Sequence, residues 1–297
     1  MKKFLFLCMA CAVLCLQSCN NEYDTTAKNV QDEINITNVK MLTEHMRSLH
    51  NGTSYREINS SVRRLPNPNF TKNDKMKIAL ADGKGALKGA ITGGVWGALG
   101  NAAVSSVLKA TKIYACKSIT GYFENHFPSR IPSSANGSSI EDSIGYYHNI
   151  VEYTMYQIQA DLYTLPTTAL YMQADSIMRH INQEYANTTL SQNVINAIIS
   201  DVNSLRAIDT NENMSFIQYV DALIDAYPDE ADYIDMLAQY IYDVNYANEN
   251  LDDYTNDILW YIGTSDLTDE EIQVLKYAVL VTYSSILYNA SMTYVLN

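Results

Sequence analysis

Residues 83–108 contain a run of glycines that restricts what this chain can fold into. Gly85, Gly89, Gly93 and Gly97 recur at every fourth position, and because four residues advance a helix by about 400°, they lie along one slowly drifting face. Glycine destabilises an exposed helix by about 1 kcal/mol relative to alanine. A helix of this composition is therefore stable only where another segment packs closely against its glycine face.

The same stretch is long enough to cross a membrane. Residues 89–108 are uncharged, and Lys84, Lys88, Lys109 and Lys112 flank them. Twenty helical residues span about 30 Å of hydrocarbon, although the five glycines among them make this stretch only weakly hydrophobic. Two interpretations stay open: a helix or helical hairpin buried in a soluble fold, or a glycine zipper that inserts into a membrane or mediates self-association.

Residues 139–297 predict an acidic, all-helical domain. They contain two prolines and two glycines, and their apolar residues recur at helical spacing. Ser139 and Ser191 are placed to cap helices, and Thr268 with Glu271 forms a capping-box pattern. The expected fold class is all-α, with about six helices in this half and the glycine helix or hairpin in the N-terminal half.

The distribution of charge also changes between residues 138 and 139. Residues 20–138 contain 15 Lys and Arg against nine Asp and Glu, whereas residues 139–297 contain three against 24. Such an asymmetry indicates that the basic half meets either the acidic half or a membrane surface. The net charge of −13 argues against a nucleic-acid partner. We predict a basic N-terminal region over 31–138, which a linker at 117–138 separates from a domain able to fold alone.

The N-terminus predicts export. A basic start precedes an apolar run of 13 residues from Phe4 to Leu16, which is too short for a stable membrane span. Residues 1–18 are therefore interpreted as a signal peptide and residues 19–30 as a flexible tether. Cys116 is the one cysteine beyond Cys19, and its apolar neighbours predict a buried side chain.

Two short motifs carry a resemblance to known proteins. Leu16-Gln17-Ser18-Cys19 resembles the bacterial lipobox, whose cysteine is lipidated and becomes the first residue of the mature chain, although Gln17 departs from its commonest form. Ile144-Gly145-Tyr146-Tyr147-His148-Asn149, taken with the glycine segment, resembles uncharacterised exported lipoproteins of Bacteroidetes. The glycine segment is also similar to those of some small bacteriocins. The resemblance implies lipid anchoring in the outer membrane, on its periplasmic or cell-surface face. It does not indicate any particular activity.

The sequence gives little evidence for a catalytic function. The sequence has no metalloprotease, hydrolase-elbow or P-loop motif. His148 and Glu152, four residues apart on one helix face, are weak catalytic candidates, and no cofactor or metal is predicted. We therefore expect a non-enzymatic binding or structural module of the envelope. The alternatives are a membrane-active glycine-zipper protein and a glycan-acting enzyme. Expected partners are the membrane, through lipid on Cys19, and a protein or second copy, through the glycines.

Overall fold

The structure, a computed structural model, describes residues 36–57, 70–117, 119–124, 139–158, 162–208, 214–246 and 250–296. The predicted signal peptide, Cys19 and the tether 19–30 lie outside the described residues. The described chain consists of helices and one two-stranded ribbon, so the predicted all-α fold is confirmed. In chain order the elements are α1 Val39–Leu49, α2 Lys72–Cys116, β1 Ile119–Glu124, α3 Ile140–Ile158, α4 Thr167–Ile181, α5 Gln183–Ala186, α6 Gln192–Ile208, α7 Phe216–Ala226, α8 Ala231–Tyr246, α9 Leu251–Thr264, α10 Asp269–Ser291 and β2 Met292–Leu296.

Helix α2 is a hairpin rather than a single rod. Its backbone leaves the helical region at Gly93 (φ −148°, ψ 21°) and Gly94 (φ 59°, ψ −150°). The Gly94 conformation is essentially restricted to glycine, because a Cβ atom would clash with the neighbouring peptide groups. The break separates a first arm, 72–92, from a second arm, 95–116, and it interrupts the uncharged segment that could otherwise have formed one membrane span.

The two arms run antiparallel and touch through their backbones. A Cβ atom built on Gly85 would lie 2.9 Å from the Ala102 Cα, although one straight helix would separate these residues by about 25 Å. A Cβ on Gly89 would collide with the Gly97 carbonyl oxygen, and a Cβ on Gly97 with that of Gly89. Gly93 lies at the turn instead and faces Val194 of α6. The hairpin alternative of the prediction is therefore the one that the structure contains.

The hairpin occupies the centre of the bundle. It makes its most extensive contacts with α10, then with α3 and α6. Helix α2 is also the one described helix that is long and apolar enough to cross a membrane, yet 72% of its most apolar window is buried inside the fold. Core helices of soluble proteins share these properties.

Basic residues of the N-terminal region pair with acidic residues of the C-terminal half, as one of the two charge interpretations predicts. The Arg47 guanidinium lies 2.6 Å from the Asp235 carboxylate, and that of Arg56 lies 2.7 Å from Asp221. The same pattern holds for two lysines of the hairpin, which pair with acidic residues as Lys84–Asp201 and Lys88–Glu230.

Helix starts follow the sequence closely, but other details differ. Ser139, Ser191 and Thr268 cap α3, α6 and α10 through their hydroxyl oxygens.

Over the described residues, 139–296 contain eight helices rather than about six, since α5 is a single turn and the acidic start of α9 obscures its apolar face. β1 pairs antiparallel with β2. Cys116 is exposed rather than buried, because the last turn of the second arm emerges from the bundle.

Both predicted regions contribute to one core. Residues Ile36–Asn297 form one compact unit, in which a hairpin from the first region is enclosed by α3, α6 and α10 from the second. A fragment containing only 139–297 would expose the surfaces that cover the hairpin. The shared core therefore opposes the expectation that this half folds alone.

We expect the fragment 139–297 to lose cooperative folding, while 36–297 retains it. Apolar surface of α3, α6 and α10 that the hairpin now covers would be exposed to water. This exposure costs about 25 cal/mol of stability for each Å². Circular dichroism during thermal denaturation of the two fragments measures this difference. A sharp transition for 139–297 at the melting temperature of 36–297 would instead establish an independent domain.

The two arms are so close that even one added methyl group should not fit between them. Gly89→Ala should lower the free energy of unfolding by about 1–3 kcal/mol, because the added Cβ meets a backbone carbonyl that cannot move aside. Gly263→Ala in α9 is the matched control, since its Cβ would lie 4.0 Å from the Lys276 side chain. That substitution should leave stability unchanged or raise it by up to about 1 kcal/mol. Equal effects of the two in urea denaturation would contradict close packing of the arms.

Candidate functional site

The two catalytic candidates of the sequence meet a third residue in the core. His148 and Glu152 lie one turn apart on α3, and Asp82 reaches them from the first arm of the hairpin. One ligand atom from each residue lies within 4.8 Å of the others, and His148 Nε2 is 3.9 Å from Asp82 Oδ2. All three side chains have an exposed fraction of 0%. We call them the Asp82–His148–Glu152 cluster.

The neighbours of His148 fix its protonation state. The Asn149 amide donates its Nδ2–H to the Ser284 carbonyl oxygen at 3.0 Å, so that its Oδ1 faces His148 Nδ1 at 3.1 Å. An amide oxygen can only accept, and therefore Nδ1 carries the proton. Burial lowers the pKa of His148 to about 4, although Asn149 and the Ala102 carbonyl oppose this change. The imidazole is neutral at pH 7, with a lone pair on Nε2.

The glycine of the Ile-Gly-x-x-His-Asn motif makes this arrangement possible. A Cβ built on Gly145 would lie 2.5 Å from the Leu280 carbonyl oxygen and would collide with Ser284. Gly145 therefore allows α3 to approach the backbone of α10. Asn149, one turn further along the same face, then reaches the Ser284 carbonyl and orients the neighbouring imidazole.

Asp82 is a buried carboxylate with few compensating contacts. Neither of its oxygens has a hydrogen bond of normal geometry within the described chain, and no described lysine or arginine forms an ion pair with it. Burial raises its pKa well above the ordinary range and the Glu152 carboxylate raises it further, whereas the Ser285 and Ser106 hydroxyls act in the opposite direction. Glu152 is held in place because its Oε1 accepts a hydrogen bond of 2.6 Å from the Tyr156 hydroxyl.

A second buried cluster, two residues further along the same arm, is compensated. Lys84 pairs with Asp201, and its ammonium group lies 3.4 Å from the centre of the Tyr227 ring. The Asn101 amide donates a 2.9 Å hydrogen bond to the other Asp201 oxygen. Burial lowers the pKa of Lys84 to about 8, against the opposing effect of Asp201. Lys84, which the sequence could have placed at a membrane surface, is thus an internal ion-pair partner.

The Asp82–His148–Glu152 cluster does not line the cleft that lies beside Arg206 on the described surface. That cleft has a volume of ≈ 180 Å³ and is lined by Leu108, Lys112, Tyr163 and Arg206, none of which belongs to the cluster. A general acid or base must come within about 3 Å of the proton that it transfers. With fully buried side chains, the cluster can accommodate an ion more readily than an organic substrate.

Comparison of the chain with known proteins finds no matching family model, curated protein or solved structure. Functional inference therefore starts from the chemistry of the described residues. Sequence reasoning identified His148 and Glu152 through their spacing on one helix face. It missed Asp82, because a single acidic residue far away in the sequence becomes informative only once the hairpin has been placed against α3.

The Lys84–Asp201 pair allows the stability contribution of a buried ion pair to be compared with that of an exposed one. Lys84→Met should destabilise the protein by about 3–5 kcal/mol, because it leaves the Asp201 carboxylate buried without its cation. Arg56→Met is the control, since its pair with Asp221 is about half exposed and such pairs contribute about 0–1 kcal/mol. Urea denaturation of both variants measures the difference. Similar small losses would show that Lys84 and Asp201 are hydrated rather than buried.

Proposed function

We propose that this chain is a lipid-anchored protein of the bacterial envelope whose helical unit acts as a non-enzymatic binding or structural module. The observation that carries the proposal is the complete burial of the residues best suited to catalysis. His148, Glu152 and Asp82 have exposed fractions of 0%, so they can contribute to structure or hold an ion, but they present no reactive atom to a bound substrate.

The glycan-acting alternative requires a different arrangement. Glycoside hydrolysis uses two carboxyl groups on opposite sides of a sugar bond, within a cleft that admits the sugar. Asp82 and Glu152 are enclosed between the hairpin and α3, and the pKa of Asp82 is raised by burial and by Glu152. Enclosure of both groups favours the non-enzymatic proposal.

The lipid on Cys19 is the proposed connection to the membrane. The lipobox pattern Leu16-Gln17-Ser18-Cys19 supports this attachment. Arg47, Arg56 and Lys84 are already paired with acidic residues inside the fold. Their use there favours attachment through the lipid over attraction of a basic surface to the bilayer.

The membrane-active alternative would require the hairpin to leave the bundle. Its first arm is covered by its own second arm through Gly85, Gly89 and Gly97, and both arms are packed against α3, α6 and α10. The same contacts occupy the glycine face through which a protein partner or second copy was expected. We therefore place the hairpin in the core of the proposed module.

Lipidation predicts the location of a single-residue variant. Cys19→Ala should move the protein from the membrane fraction to the soluble fraction, because stable anchoring requires more than one acyl chain and each buried CH₂ contributes about 0.8 kcal/mol. Cys116→Ala is the matched control and should stay with the membranes. Fractionation, with metabolic incorporation of a fatty-acid analogue, measures both effects.

Membrane retention of Cys19→Ala equal to that of the parent would contradict the lipid anchor. In that case the signal-less protein should be added to dye-loaded anionic vesicles. Dye release would support insertion of the hairpin, whereas retention of the dye would indicate a protein receptor in the membrane.

A further inference from the structure

We propose that Asp82, His148 and Glu152 bind a divalent transition-metal ion that fastens the glycine hairpin to α3. This inference is independent of the lipid anchor, since all three residues lie inside the compact unit. The sequence alone predicted no metal. The proposed ion is a ligand that burial permits and that an organic substrate could not replace.

Two hydrogen-bond acceptors face each other in the cluster. His148 Nε2 carries a lone pair, because Nδ1 holds the ring proton, and Asp82 Oδ2 lies 3.9 Å away. Neither atom has a hydrogen bond of normal geometry in the described chain, although the Ser106 and Ser285 hydroxyls lie near the Asp82 carboxylate. A proton shared between them would require a distance of about 2.7–3.2 Å. A metal ion binds nitrogen and oxygen ligands at about 2.0–2.2 Å, so it fits between atoms about 4 Å apart.

The charges of the cluster also favour a bound cation. An ionised carboxylate is rarely buried unless it has a cationic partner or coordinates a metal. Asp82 forms no ion pair with a described lysine or arginine, and its closest acidic neighbour in the site is Glu152. Two ionised carboxylates and one neutral imidazole carry a charge of −2, which a divalent cation neutralises. The competing solution is a protonated carboxyl group, and the experiment below separates the two.

Neighbouring side chains orient the proposed ligands. Metal-binding histidines commonly donate their other ring N–H to an oxygen, which fixes the tautomer and the ring plane. Asn149 performs this role for His148, and Ser284 in turn orients Asn149. Tyr156 orients Glu152 in a similar way. These contacts form a supporting layer that a merely packed core does not require.

The donor atoms indicate the class of metal. One imidazole nitrogen with carboxylate oxygens suits Zn²⁺, Mn²⁺ or Fe²⁺, whereas Ca²⁺ takes six to eight oxygen ligands. The buried Ser106 hydroxyl lies beside Asp82 and adds a further oxygen to the site. A fully enclosed site of this kind resembles a structural metal centre more than a catalytic one, which keeps a position open for substrate.

The ion would join segments that are distant in sequence. Asp82 belongs to the first arm of the hairpin, His148 and Glu152 belong to α3, and α10 supports the site through Ser284. Because the ligands come together only in the folded chain, metal affinity contributes directly to folding stability. The predicted effect of metal removal is therefore a loss of stability rather than of an activity.

The test uses the detergent-solubilised mature protein, unfolded in chelator and refolded with Zn²⁺, with Mn²⁺ or without metal. We expect about one Zn²⁺ or Mn²⁺ per chain by elemental analysis after desalting. A free-metal concentration a hundredfold above Kd should raise Tm by about 5 °C or more. Refolding with Co²⁺ should give visible absorption from nitrogen and oxygen coordination, which reports binding even if a variant folds poorly.

Three variants locate the bound ion. Asp82→Asn and His148→Gln should each weaken metal affinity by at least about tenfold and abolish the metal-dependent rise in Tm. Asp82→Asn should also be at least as stable as the parent in chelator, because it removes a buried carboxyl group. His180→Gln changes an exposed histidine and should behave as the parent does.

Two outcomes would overturn the proposal. A parent protein that refolds without bound metal, with the same Tm in chelator, Zn²⁺ and Mn²⁺, would show that the cluster is a protonated carboxyl group beside a neutral histidine. Binding that survives in Asp82→Asn and His148→Gln but is lost in His180→Gln would place the ion at the surface. Repeating the measurement on Cys19→Ala keeps failure of the metal site distinct from failure of the lipid anchor.

Discussion

The structure depends on the direct contact between two helical arms that carry almost no side chains where they meet. The side-chain position of Gly89 faces the carbonyl oxygen of Gly97, and that of Gly97 faces the carbonyl oxygen of Gly89, so that even a methyl group is excluded. The contact allows one continuous stretch of chain to turn at Gly93 and Gly94 and return along itself in the centre of the bundle. The other faces of both arms then remain available to α3, α6 and α10. The glycines therefore do not form the core by their own burial, but they determine where every other core element can lie.

The first arm carries two buried ionisable groups whose surroundings compensate charge to different extents. Lys84 and Asp82 are two residues apart, and since a helix turns by about 200° over that interval they point to opposite sides. The Lys84 ammonium pairs with Asp201 and lies over an aromatic ring, and the Asn101 amide donates a hydrogen bond to the same carboxylate. Asp82 meets a neutral imidazole and a second carboxyl group. The contrast within one helix separates a structural ion pair from the Asp82–His148–Glu152 cluster, where we propose that a metal ion binds.

Local signals in the sequence predicted helices well, whereas non-local arrangements were not accessible. The hydroxyl caps at Ser139, Ser191 and Thr268 are local interactions, and each lies at the helix start that the sequence indicated. Glycine spacing predicted close packing but could not distinguish a helix from a hairpin, although the adjacent pair Gly93 and Gly94 is the feature that breaks it. The spacing of His148 and Glu152 identified two thirds of the cluster. Asp82, and the pairing of β1 with β2, depend on segments far apart in the chain, which no helical period encodes.

The order of the elements has a consequence for how such a chain is made. The hairpin is synthesised early, but its most extensive contacts are with α10, which is among the last elements to leave the ribosome. Contacts between segments so distant in sequence form slowly, because the intervening chain must lose its conformational freedom first. Until α10 arrives, the apolar sides of the hairpin stay uncovered and the unit cannot close. If the chain is exported unfolded, as the proposed signal peptide implies, the same topology would defer the premature folding that blocks a narrow translocation channel.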